Sequence, residues 1–98
     1  MIILKIRSRI FPDKRKEFDQ SIDYLLKLKG ESEEKFYRAF YEELDDPNMF
    51  CYIEEWDSMA ALKKHLQSER FKALFGAMKV LGEIECAKII RASQEQDL

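Results

Sequence analysis

The sequence predicts a single α+β domain of order β-α-β-β-α-β, built on one four-stranded antiparallel sheet. Three observations carry that reading. Residues 2–10 alternate in polarity, as a half-buried strand does. Two further strand-like runs, 36–44 and 49–56, are separated only by Asp45, Asp46, Pro47 and Asn48, dense turn chemistry that makes them a hairpin. Two stretches on either side of that hairpin repeat apolar residues at helical spacing. At 98 residues, one domain is the expectation.

In the first strand Ile2, Leu4, Ile6, Ser8 and Ile10 share one face; Ile3, Lys5, Arg7 and Arg9 share the other. Pro12 and Asp13 open the first helix, because proline suits a first turn and an acid suits the N-terminal dipole. Phe18, Ile22, Leu25 and Leu26 form its apolar stripe, with Lys29 at the next position, and Gly30 is its natural stop. Residues 31–35 are a polar connection. The strand 36–44 carries aromatic residues on both faces, which fits cover on both sides. Asp57 or Ser58 caps the next helix, on which Leu62, His65 and Leu66 share a face. Ser68 restarts a helix after a kink, and Phe71, Leu74, Phe75, Met78 and Leu81 continue the stripe to Gly82. Residues 84–91 form the last strand, with Ile84, Cys86, Lys88 and Ile90 read on one face against Glu85, Ala87, Ile89 and Arg91. The domain is 1–92; the tail, 93–98, has no pattern and is expected to fray. This order is the ferredoxin-like, split-βαβ arrangement, with helices on one face of the sheet. The other face carries Tyr37, Tyr41 and Ile53 and calls for a partner.

Composition narrows the function classes. A domain this short buries roughly 60–65% of its surface, so pairing with a second copy is an available way to bury more. Charged residues reach 37%, yet 17 Lys plus Arg stand against 19 Asp plus Glu. That balance argues against a nucleic-acid binder, which shows a basic excess. The N-terminal run is interrupted by Lys5, Arg7 and Arg9 and lacks a signal-peptide core, and no stretch has the apolar length of a membrane span. The expectation is a soluble, cytoplasmic protein. Cys51 and Cys86 have no metal-ligand spacing and read as free thiols acting as small buried hydrophobes.

Few residues can carry chemistry. Gly30, Gly76 and Gly82 are the only glycines, so no glycine-rich phosphate loop can be written. A single histidine and two distant cysteines form no zinc or iron constellation, and nothing near His65 resembles a nucleophile elbow. The expectation is no metal and no cofactor. His65 reads either as a proton shuttle or as a partly buried residue packed between Leu62 and Phe71. Trp56 reads as a ring-stacking pocket wall or as a core residue. Tyr37, Tyr41 and Tyr52 read as phenol donors or as interface residues with one wet end. Arg7, Arg38 and Glu54 are mid-strand charges that point into a pocket, pair across a dimer, or form a solvated salt-bridged face. Phe71, Phe75 and Met78 read most simply as core.

One set of these residues carries a family resemblance. The Asp46-Pro47 turn, Phe50-x-x-x-Glu54-x-Trp56 on the strand, Leu62-x-x-His65 on the helix and Ser68-x-x-Phe71 after it together resemble the antibiotic biosynthesis monooxygenase (ABM) family. The resemblance covers most of the chain and is concentrated in residues 45–75. It implies a dimeric α/β barrel: two copies of a four-stranded sheet, paired into a homodimer. It also implies cofactor-independent oxidation of a small aromatic or quinol, or heme degradation as in a related branch. Two departures stand out. A Pro-Gly-Cys-type turn common in the family is replaced by Glu31 to Lys35. The Asn, Trp and His of the heme-degrading branch meet Ser8, His65 and Phe75 here, so heme chemistry does not fit. On this resemblance His65 is the acid–base group, Trp56, Tyr52, Phe71 and Phe75 line the cavity, and Arg7 holds an oxyanion. A second reading is a non-catalytic small-molecule-binding or stress-associated homodimer of the same fold. A third, a structural dimerisation domain, has no ligand-sized cavity.

Overall fold

In the computed structural model, residues 1–27, 37–92, 94 and 96–98 are described. The expected Gly30 stop, Phe36 and the connection 31–35 lie outside the described residues. The elements are β1 (Ile2–Ile10), a short 3-10 turn (Pro12–Lys14), α1 (Arg15–Lys27), β2 (Tyr37–Glu42), β3 (Met49–Trp56), α2 (Met59–Leu66), α3 (Glu69–Leu81) and β4 (Gly82–Arg91). The sheet runs β2-β3-β1-β4 with every neighbouring pair antiparallel. That is the four-stranded antiparallel α+β, ferredoxin-like order the sequence predicts.

The chain closes its turns with side chains suited to the task. Ser58 and Ser68 each accept a hydrogen bond from a backbone N–H three residues on, Ala61 and Phe71, both at 3.1 Å. Asn48 sits in the β2–β3 turn with φ 71°, a conformation asparagine tolerates better than most residues. Alternation in β1 puts Leu4, Ile6, Ser8 and Ile10 inside. Leu4, Ile6 and Ile10 meet Phe50, Tyr52 and Trp56 of β3, Phe18, Ile22 and Leu25 of α1, and Leu62, Phe71, Leu74 and Met78 of α2 and α3 in one core. Each such side chain removed from water contributes about 1.5–3 kcal/mol before entropy is subtracted.

One reading of β4 needs correction. The β1–β4 register shifts between Arg7 and Ser8, which face Cys86 and Ile84. Glu85 is the extra residue, and such a bulge resets the alternation. Ile84 therefore shares the inner face with Ala87 and Ile89, not with Cys86, Lys88 and Ile90. Cys51 and Cys86 both stand opposite Arg7, on the two strands that flank β1. Two strand spacings of about 4.8 Å separate them, beyond the reach of a disulfide, and both are free thiols.

Gly82 is fixed by close approach. A Cβ there would lie 2.2 Å from the carbonyl oxygen of Arg9. The strand backbone would have to move, so Gly82→Ala is expected to destabilise the domain by about 3 kcal/mol. Chemical denaturation of the two proteins measures this; equal midpoints would mean β4 can shift freely.

Candidate active site

Alternation along β3 sends Tyr52, Glu54 and Trp56 to the same, helix-facing side. Glu54 is fully buried there. A buried carboxylate is tolerated only when donors surround it, and three do. Trp56 Nε1–H donates to Oε1 at 2.9 Å. The Tyr52 hydroxyl donates to Oε2. His65 Nε2 lies 2.7 Å from the same Oε2. Helix α2 delivers His65, and its start is set by the Ser58 cap a short step after β3 ends.

The ring of His65 is clamped as well as bonded. Trp56 lies against it at a centroid distance of 4.9 Å and Phe71 meets its edge at 5.4 Å. Its side chain is 12% exposed. With Glu54 ionised, Oε2 can only accept, so His65 carries its proton on Nε2. In the neutral ring the basic lone pair then belongs to Nδ1. A carboxylate behind an imidazole fixes its tautomer and stabilises the imidazolium when it forms.

Tyr52 is a permanent donor. Burial, reinforced by the Glu54 charge, pushes its phenol well above the ordinary tyrosine value. A folded-state pKa above the unfolded one means that the phenol's contribution is complete below about pH 10 and is lost as pH rises beyond it. Above pH 10 the melting temperature is expected to fall less steeply for Tyr52→Phe than for the native chain. Parallel curves would show that the phenol ionises without penalty.

His65 and Tyr52 open onto a cleft between the sheet and the helices. Ile22, Leu25 and Leu26 of α1, Arg38 and Phe40 of β2, and Arg70, Phe71 and Leu74 of α3 complete its walls. Counted out to its open mouth and with the solvent there, the empty space is about 290 Å³, but the centre of a water molecule can occupy only about 10 Å³ of it, room for one water.

The structure thus gathers His65, Tyr52 and Phe71 at the cleft. Trp56 and Phe75 stand one layer behind, Trp56 against His65 and Phe75 stacked on Phe71 at 5.7 Å. Arg7 is elsewhere: it faces the opposite side of the sheet, where Glu43 holds it through two bonds of 2.8 and 3.0 Å. It cannot reach a ligand in this cleft. From sequence, Glu54 and Arg38 read as mid-strand charges that point into a pocket, pair across a dimer or lie on a solvated face, and Glu54 also belongs to the family motif, but neither is assigned a role; Arg70 does not stand out at all. For Glu54 a sharper signal is present: a charge placed two residues from a tyrosine and two from a tryptophan, on the face that the strand buries. Among the described residues no group of three or more His, Cys, Asp or Glu is arranged to hold a metal ion, and no helix is long and apolar enough to cross a membrane.

Comparison with known proteins agrees with this architecture. Residues 1–77 match the family model "Antibiotic biosynthesis monooxygenase". "Putative monooxygenase YcnE" of Bacillus subtilis is 27% identical over 81 residues, covering 83% of this chain and 85% of that one. A conserved protein from Methanosarcina mazei Go1 superposes with a TM-score of 0.79 at 26% identity, covering 92% of this chain and 90% of that one. A point mutant of SnoaB, described as a cofactor-independent oxygenase from Streptomyces nogalater, superposes with a TM-score of 0.67 at 17% identity, covering 96% and 94%. With the family model spanning most of its length and the fold matching throughout, the chain belongs to the antibiotic biosynthesis monooxygenase family.

Proposed function

We propose that this protein is a monooxygenase that oxidises a small phenol or quinol without a bound cofactor, with His65 as its acid–base group. The observation that carries the proposal is the buried Glu54–His65 pair, 2.7 Å apart, at the wall of a mostly apolar cleft. Family membership supplies the reaction type. The description of SnoaB as cofactor-independent supports the absence of a cofactor.

Nδ1 of His65 takes the proton that activates the substrate, and Glu54 stabilises the imidazolium. The substrate anion passes one electron to dioxygen, and the two radicals combine into a carbon-bound peroxide. The imidazolium returns its proton as the O–O bond breaks. For an activated CH₂ carbon the sum is one C=O and one water from one dioxygen. All the electrons come from the substrate, so no outside reductant is needed. Phe40, Phe71 and Leu74 exclude water from the anion. The free space is small, so a ring enters by displacing side chains at the mouth, where Leu26 is 41% exposed.

A homodimer is part of this proposal. The outer face of the sheet exposes Tyr37 and Tyr41, each 50%, and Ile90, 40%. A second sheet would cover them.

The test is oxygen uptake by metal-free protein with a panel of hydroquinones and anthrones. Uptake above the autoxidation rate is expected for at least one class. A flat trace with compounds that nevertheless raise the melting temperature would overturn catalysis and leave a binding protein.

A further inference from the structure

The cleft has a second chemical character beside the proton apparatus: it places two guanidinium groups at one wall. Arg38 comes from β2 and Arg70 from the first turn of α3. They donate to consecutive carbonyls at the end of α1: Arg38 to Leu26 O at 3.1 Å and Arg70 to Leu25 O at 2.9 Å. A cation near a helix C-terminus is favourable, but two placed side by side repel each other.

Arg70 is partly buried. Among the described residues it forms no ion pair, and the bond to Leu25 is its only hydrogen bond. A guanidinium has five N–H groups in a planar fork, so most of its donor capacity is unused. Burial, and after it the charge of Arg38, push the Arg70 pKa down from its ordinary value. Tyr52 and, after it, Glu54 push the other way, and Glu54 already accepts from three side chains. A partly buried, forked cation beside a second cation, in a cleft, is the arrangement that binds carboxylates.

We infer that the cleft selects an aromatic ligand bearing a carboxylate: Arg70 and Arg38 hold the anionic end, Phe40, Phe71 and Leu74 hold the ring, and the reacting group faces His65. This rests on the proposed site and narrows its substrate class from phenols in general to aromatic acids.

The experiment compares binding of gentisate, a hydroquinone carboxylate, with binding of its methyl ester, by calorimetry on the native protein. Acid and ester share the ring and differ in the charge. The acid is expected to bind at least about tenfold more tightly, the size of one charge-assisted contact. That preference is expected to shrink with added salt and to vanish in Arg70→Met and Arg38→Met, which keep most of each stem. Arg70→Lys keeps the charge without the fork, and an intermediate preference is expected. If Arg70→Met fails to fold, the salt dependence of the native protein and the Lys variant decide the matter. Equal binding of acid and ester, a preference that survives Arg70→Met, or no binding of either at millimolar concentration would overturn the inference. Because binding is read without turnover, tight acid binding with no oxygen uptake would uphold the anion site and sink the monooxygenase reading alone.

Discussion

Glu54→Leu is expected to lower the stability of the domain by about 4 kcal/mol. The replacement keeps the volume apolar but strips the acceptor from Tyr52, Trp56 and His65 together. Each buried donor left without a partner costs about 1–3 kcal/mol. A domain of this size has only about 5–15 kcal/mol in total. The melting temperature is expected to fall by roughly 15–30 °C at the usual 4–8 °C per kcal/mol. Glu54→Gln separates packing from chemistry. Its amide fits the same space, and the amide N–H then donates to His65 Nε2. The imidazole must move its proton to Nδ1, and the basic lone pair turns inward. The Gln variant is therefore expected to stay folded, yet lose at least about a hundredfold in turnover. The chain has one histidine, so its two ring nitrogens give an unambiguous nitrogen NMR signature of the tautomer. An unchanged tautomer in Glu54→Gln would refute the positioning role.

His65→Ala is expected to leave the fold in place and to remove about 100- to 10,000-fold of turnover, the usual span for a positioned acid–base group. The stability cost is expected to be about 1–3 kcal/mol, because the buried carboxylate loses one of its three donors, while Tyr52 and Trp56 remain. Apparent affinity is expected to change little, because the apolar walls from α1, β2 and α3 and the two guanidinium groups stay in place. Unchanged turnover of an accepted quinol would remove His65 from the mechanism. A large fall in affinity with kcat intact would mean instead that His65 binds and does not transfer a proton. Small imidazoles diffusing into the vacated space offer a further check: partial rescue is the expected result.

Much of this architecture is written in local patterns. Alternation marks β1 at residues 2–10, and the Asp45–Asn48 turn places β3 at 49–56, the limits found in the structure. Ser58 and Ser68 are legible as caps because their hydroxyls have one obvious local use. The β4 bulge is not legible: it inserts Glu85 between Ile84 and Cys86 with no glycine or proline beside it to mark the irregularity. Arg7 shows a different failure. The alternation of β1 already places it opposite Leu4 and Ile6, away from the core, and assigning it to the cleft sets that aside. Arg70 resembles any solvated cation in a first helical turn. Only the packing of α3 beside α1 and β2 brings it next to Arg38.

The buried carboxylate and its three donors lie close together in the chain. Tyr52, Glu54 and Trp56 ride on one strand, and His65 follows on the next helix. Most of the cleft wall is drawn from α1, β2 and α3 instead. The two parts can therefore vary independently. Substitutions at Ile22, Leu26, Arg38, Arg70 or Leu74 reshape what the cleft admits while the carboxylate and its three donors stay as they are. A carboxylate–histidine cluster confined to one strand and one helix gives evolution, or an engineer, a constant centre with an interchangeable rim.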